Sequence, residues 1–222
     1  GATSLVMREI RLPRAILAAL VGAALGLSGA AMQGYLRNPL AEPGLIGVSG
    51  AAALGAVLSL QTGVAAAFAL ALPLSALAGA LGAVVLILLL AGPRGSSITL
   101  ILAGIAISAL AGALTALVLN LSPNPFAAAE IVFWTMGSLA DRSFQHVAIA
   151  APLIVFGAVL IVALGRGLDA LTLGEDAAEA LGVPLVRLRL MLVIGVAAAV
   201  GAATAVAGAV GFVGLVVPHL LR

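Results

Sequence analysis

Six apolar runs, at about residues 15–36, 45–61, 64–92, 97–121, 147–165 and 190–210, narrow the folds open to this chain more than any other feature. Most come close to the ~20 residues that a helix rising ~1.5 Å per residue needs to cross a ~30 Å hydrocarbon core. Only 8% of the 222 residues are charged and 64% are hydrophobic, whereas a soluble domain carries about a quarter charged residues. The predicted class is therefore all-α, a polytopic transmembrane helical bundle. The first run is too long for a signal peptide, lies behind a polar lead and is followed by further spans.

Between the first two runs lies QGYLRNPLAEPGLIGVS, residues 33–49. Proline removes a backbone donor and glycine loosens the chain, so Asn38, Pro39, Pro43 and Gly44 predict that one helix ends here and another restarts near Leu45. Such a polar junction at a membrane face is tolerated only where protein or water satisfies the freed backbone groups. Small residues recur at four-residue spacing: Gly22 and Gly26; Ser75 and Gly79; Gly104, Ser108 and Gly112. They allow close helix approach in lipid, either as general tight packing or as faces along which helices rock. A weak repeat relates GAALGLSGA (22–30) to GAATAVAGA (201–209) at an offset of 179, which carries Pro39 onto Pro218 as a second proline-broken junction. Paired segments of this kind fit a repeat-built transporter.

The polar chemistry is sparse. No cysteine is present, which excludes disulfides, iron–sulfur clusters and thiolate metal sites. No lysine is present either, so this chain has no P-loop lysine, and nucleotide energy would have to come from another chain. His146 and His219 lack ligand partners at metal-site spacing, and no metal site is expected. Acidic residues are missing from the predicted span interiors, which argues against ion coupling without excluding it. Ten arginines divide five against five between alternating loops, so charge gives no orientation, and they form no tract that would read as a nucleic-acid surface. Gly92, Pro93, Arg94, Gly95, Ser96 and Ser97 form a short polar hinge, and 121–146, with Pro123, reads as a connection holding a short interfacial helix. Residues 166–189 are the most polar block: EDAAEALG predicts a short helix with Glu175 and Asp176 in its first turn, Gly182 as C-cap and Pro184 as stop.

Three segments carry a family resemblance. RLPRAILAALVGAALGLSGAAMQGYLRNPLAEPGLIGVSGAAALGAVL, ALTLGEDAAEALGVPLVRLRL and GFVGLVVPHLLR resemble, in this order, the signatures of FecCD-type permease subunits of bacterial ABC importers for iron-siderophores, haem and cobalamin. The resemblance covers essentially the whole chain and implies a type II ABC importer permease-like bundle with an internal repeat. It implies that RLPR and 121–146 lie outside, and 33–49 and 166–189 inside. By the same resemblance, Arg11 and Arg14 would meet acidic residues of a substrate-binding protein; the alternative is that they only snorkel at the interface. Leu173, Gly174, Glu175, Asp176, Ala177, Ala178 and Gly182 fall in short helices that would dock on the ATPase; the alternative is an ordinary solvated loop. Ala177 and Ala178 would admit a close partner surface, so Ala178→Trp is expected to uncouple transport and leave the fold intact. Ser96 and Ser97 would lie at a cytoplasmic gate.

The resemblance further implies its partners: a second permease copy, identical or related, an ABC ATPase dimer that binds the ATP, and a periplasmic or lipid-anchored binding protein. The setting would be a bacterial inner (plasma) membrane, with no cofactor in this chain and no nucleic acid. Family members resemble ten-span subunits. The chain is accordingly expected to be one incomplete permease domain of about six spans plus the start of a further element, with the Gly104–Ser108–Gly112 stripe lacking its partners. An ion-coupled secondary transporter, or a non-transporting membrane assembly protein, stands as the alternative.

Overall fold

The computed structural model describes residues 2–92, 95–122 and 125–221. Pro93, Arg94, Pro123 and Arg222, named above in hinges, a connection and the terminal motif, lie outside the described residues.

The first rod joins α1 (Ala2–Val6), a π-helical turn (Met7–Arg11) and α2 (Leu12–Leu36). Pro13 explains the wide turn. A proline clashes with the carbonyl four residues earlier, and the chain relieves this by opening one turn, where the Leu12 N–H reaches back to the Met7 carbonyl. The apolar rod Ser4–Leu36 has 33 residues, about 50 Å at ~1.5 Å per residue, so the end bearing Arg8, Arg11 and Arg14 projects beyond a ~30 Å core.

The chain then runs through α3 (Val48–Gln61), α4 (Ala71–Ala91), α5 (Ser97–Leu121), α6 (Pro125–Met136), α7 (Phe144–Ala163), α8 (Gly165–Leu171), α9 (Glu175–Ala180), α10 (Leu185–Ala207) and α11 (Val213–Leu221). Among the described residues, five helices are long and apolar enough to cross a membrane, and the run at 45–61 gives only the 14-residue α3. The junction before α3 explains its length. Arg37 closes α2 in the left-handed region at φ 50°, the Leu40 N–H bonds Asn38 Oδ1 at 2.9 Å, and Pro43–Ile46 makes a 3₁₀ turn. Gly47 then packs on Gly104 and Ile107 of α5, while Ser108 Oγ donates to the Gly44 carbonyl at 3.5 Å. Residues 41–47 therefore fold back among the helices while 37–40 stay exposed at the end of α2, and α3 starts part-way along the bundle. The Gly104–Ser108 stripe has its partner here, within the chain; only Gly112 faces open space.

Helix α10 is the centre: 78% of its apolar window is buried, against 22% for α4, α5 and α7. Its small residues permit this. Gly157 of α7 lies on Gly195 and Ala199, and Gly201 lies on Ala80 of α4 and Val48 of α3. Such contacts supply the van der Waals packing that replaces a hydrophobic drive inside lipid. Gly55 against Ser75, and Gly79 against Ala51, join α3 to α4 in the same way.

The second junction falls elsewhere than Pro218. The chain breaks at 208–212, where Gly208 (φ 78°) and Phe212 (φ 67°) turn left-handed, and Pro218 sits buried inside α11. Proline deprives the Gly214 carbonyl of its helical donor, and that carbonyl lies against Gly29 of α2, where no side chain intervenes. The offset of 179 thus pairs a turn proline with a helix proline and does not align the two breaks.

Candidate functional site

Helices α8 and α9 form a compact block between α7 and α10. Gly174, at φ 106°, makes the turn that only glycine adopts readily, and Glu175 and Asp176 open α9 where its dipole favours acids. Gly182 closes it at φ 83°: the Gly182 N–H bonds the Glu179 carbonyl and the Val183 N–H bonds the Ala178 carbonyl, a Schellman stop.

Leu171 and Ala178 face inward and pin the block to the bundle, with Ala178 fully buried. That corrects the expectation for Ala178→Trp: an indole has no room there, and the substitution would disturb this chain's own packing. The outward face carries Leu173 (69% exposed) and Leu181 (66% exposed), with Asp176 and Glu179 also exposed. Two large apolar side chains beside two acids make a surface able to bury itself against a partner.

Behind the block stands Arg189, one turn inside α10. Its Nη2 donates to Glu175 Oε2 at 3.0 Å, its Nε to the Tyr35 hydroxyl at 2.9 Å, and its Nη1 to the Gly95 carbonyl at 2.6 Å. Glu175–Arg189 is the one ion pair among the described residues, and the arginine side chain is 13% exposed. Gly95 directly precedes Ser96, whose Oγ caps α5 by accepting the Thr99 N–H at 3.2 Å. Ser97 is the first residue of α5 and half-buried. One guanidinium thus ties the start of α9, the end of α2 and the lead into α5.

Because Tyr35 near the end of α2 meets Arg189 near the start of α10, the two helices run antiparallel, and Arg11 and Arg14 stand at the opposite end of the bundle. Both are exposed; Arg11 Nη1 approaches Met7 Sδ at 3.8 Å, and Pro13 between them is buried. At that end the α6–α7 connection covers the last carbonyls of α10: Arg142 Nε donates to Val206 at 2.6 Å and the Ser138 N–H to Ala207 at 2.7 Å. Burial lowers the Arg142 pKa, opposed by Asp141, but an arginine keeps its charge there, where the helix dipole favours a cation. His146 Nδ1 accepts the Ser143 N–H at 3.3 Å. Among the described residues, no three potential metal-ligating side chains come together.

Glu42 is a residue that sequence reasoning did not single out beyond its junction. Half-buried in its junction, it borders an open pocket of about 170 Å³ with Leu25, Ser49 and Val200. Its Oε1 accepts the N–H of Phe212 at 3.0 Å, joining the two chain breaks.

The model of the FecCD transport family matches residues 2–222. This chain belongs to the FecCD transport family. Among FecCD-like relatives, an uncharacterized ABC transporter permease protein, YvrB of Bacillus subtilis, is 40% identical over 98% of this chain and 62% of its own length. The cobalamin import system permease protein BtuC of Halobacterium salinarum is 37% identical, over 98% and 58%. The vitamin B12 import system permease protein BtuC of Salmonella typhi is 40% identical, over 96% and 65%. The chain thus spans less than two thirds of the length of each of these relatives. A solved inward-facing conformation of a metal-chelate type ABC transporter superposes with a TM-score of 0.91 at 34% identity, over 99% of this chain and 70% of that one. The FecCD chain accordingly has the all-α, multi-pass fold of a type II ABC importer permease.

Proposed function

We propose that this chain is the membrane-spanning permease part of an ABC importer that moves a metal chelate or corrinoid, such as an iron-siderophore, haem or cobalamin, across a bacterial inner (plasma) membrane. The family match along nearly the whole chain carries this reading, and the names of the relatives support it. The permease makes and breaks no covalent bond and holds no cofactor; ATP is bound and hydrolysed by a separate ATPase dimer, and two permease copies, identical or related, face each other around the path.

In this reading the 166–189 block lies on the cytoplasmic side. The ATPase receives Leu173 and Leu181 in a groove, with Asp176 and Glu179 at its rim, and ATP-driven closure of the ATPases pushes the block against the bundle. Ser96 and Ser97 lie at the cytoplasmic gate, where the N-cap of α5 gives the loop a fixed end. Alternating outward and inward openings then move the cargo, which the path must bind weakly enough to release.

Arg11 and Arg14 project on the far side, toward acidic residues of a periplasmic or lipid-anchored binding protein. Long-range attraction of this kind acts on the association rate and fades with salt. The double substitution Arg11→Glu/Arg14→Glu is expected to slow association of the binding protein by about tenfold or more at low salt, with the difference shrinking in 0.5 M salt. Surface plasmon resonance on the reconstituted transporter measures it. An unchanged association rate together with unchanged uptake would remove these arginines from the docking site.

A further inference from the structure

We propose that Arg189 is a latch that carries movement of the ATPase-docking block to the gate loop, with Glu175, Tyr35 and Gly95 as its three holds. The inference rests on the importer reading above and adds the residue that links its two moving parts.

Three observations converge on it. First, the three donors of one planar group go to three different elements: Nη2 to Glu175 on α9, Nε to Tyr35 at the end of α2, and Nη1 to the Gly95 carbonyl just before α5. Guanidinium offers donors in a rigid fork, so a rotation that improves one bond worsens the others. Second, the anchor sits on the central helix while one hold sits on the docking block. Arg189 rises from α10 between the buried Leu188 and Leu192. Glu175 sits on a six-residue helix, α9, in a block whose other face is exposed. Third, the Gly95 hold bears directly on the gate. Its carbonyl is followed by the Ser96 cap, and a side chain at Gly95 would strike the Ala91 carbonyl at the end of α4. Gly95 itself is close-fitted, and releasing its carbonyl frees the start of α5.

When α9 shifts under the ATPase, Glu175 draws the guanidinium out of its threefold arrangement, and the Gly95 carbonyl loses its donor. A static clamp would instead hold the end of the bundle together and show no response to nucleotide.

The test uses the assembled transporter in proteoliposomes, with Ser97→Cys as the one cysteine of this chain and maleimide labelling read without nucleotide and with ATP and vanadate. The parent is expected to change its labelling rate between the two states by about tenfold, the scale of one charge-assisted bond made or lost. Arg189→Lys keeps a charge opposite Glu175 but cannot serve three holds; its complex is expected to retain ATP hydrolysis while the labelling change falls below about twofold. Tyr35→Phe keeps the buried ring and removes one hold, and an intermediate change is expected. A full parental response in Arg189→Lys overturns the latch. If Arg189→Lys does not assemble, a full response in Tyr35→Phe overturns it. A parent that binds no ATPase sinks the importer reading itself, and the latch falls with it; that outcome is distinct from an assembled parent whose variants respond normally.

Discussion

Converting Leu173 and Leu181 together to glutamate is expected to strip the ATPase from the permease. Each leucine is about two-thirds exposed on the block, and burying a leucine in a partner groove is worth about 1.5–3 kcal/mol. Placing an unpaired carboxylate there adds a desolvation cost. The pair should therefore lose at least about 4 kcal/mol, or roughly a thousandfold in affinity. The chain itself should fold normally, because neither side chain contributes to its interior. Co-purification in mild detergent followed by size-exclusion chromatography reads both quantities at once. A double variant that keeps its ATPase at parental stoichiometry would show that another surface docks it.

The second large effect concerns Gly29. A side chain there would fall on the Gly214 carbonyl of α11, a backbone-to-backbone contact that no rotamer change can relieve. Overpacking commonly costs about 1–3 kcal/mol, and a contact between main chains lies at or above the upper end. Gly29→Leu is expected to part α2 from α11, lower the midpoint of thermal aggregation by about 10 °C, and leave Glu42 without its Phe212 partner. Gly22→Leu, seven residues away on the same helix but facing open space, is expected to behave like the parent. Equal stability of the two variants would contradict the contact.

These two sites also show what the sequence made legible. The apolar runs located the long helices because crossing lipid leaves the chain no cheaper way to satisfy its backbone, and α9 was readable from Glu175 to Gly182 because caps are local chemistry. The depth of the first junction was not readable. Asn38 and Pro39 announce a break, but the inward fold of 43–47 depends on Gly104 and Ser108, sixty residues away. Pro218 misled for the related reason that a proline is a break in one context and a packed helix residue in another; Gly208 and Phe212 mark the actual turn. Ala178 seemed a docking residue because it is small, yet smallness serves burial as well as approach. Arg189 gave no local signal beyond its charge at the head of an apolar helix, since its holds come from three distant segments. An arginine at the start of a long apolar helix, beside a block opening with two acids, was the one available hint.

In the proposed function, separate ATPases, and no ion gradient, drive this permease. Proteoliposomes containing the assembled transporter, given binding protein outside and radiolabelled cobalamin or a ferric siderophore as probe, provide the measurement. The expected result is uptake that requires luminal ATP and the binding protein, and that persists when ionophores collapse proton and sodium gradients. Uptake that continues without ATP and stops with the ionophores would contradict it.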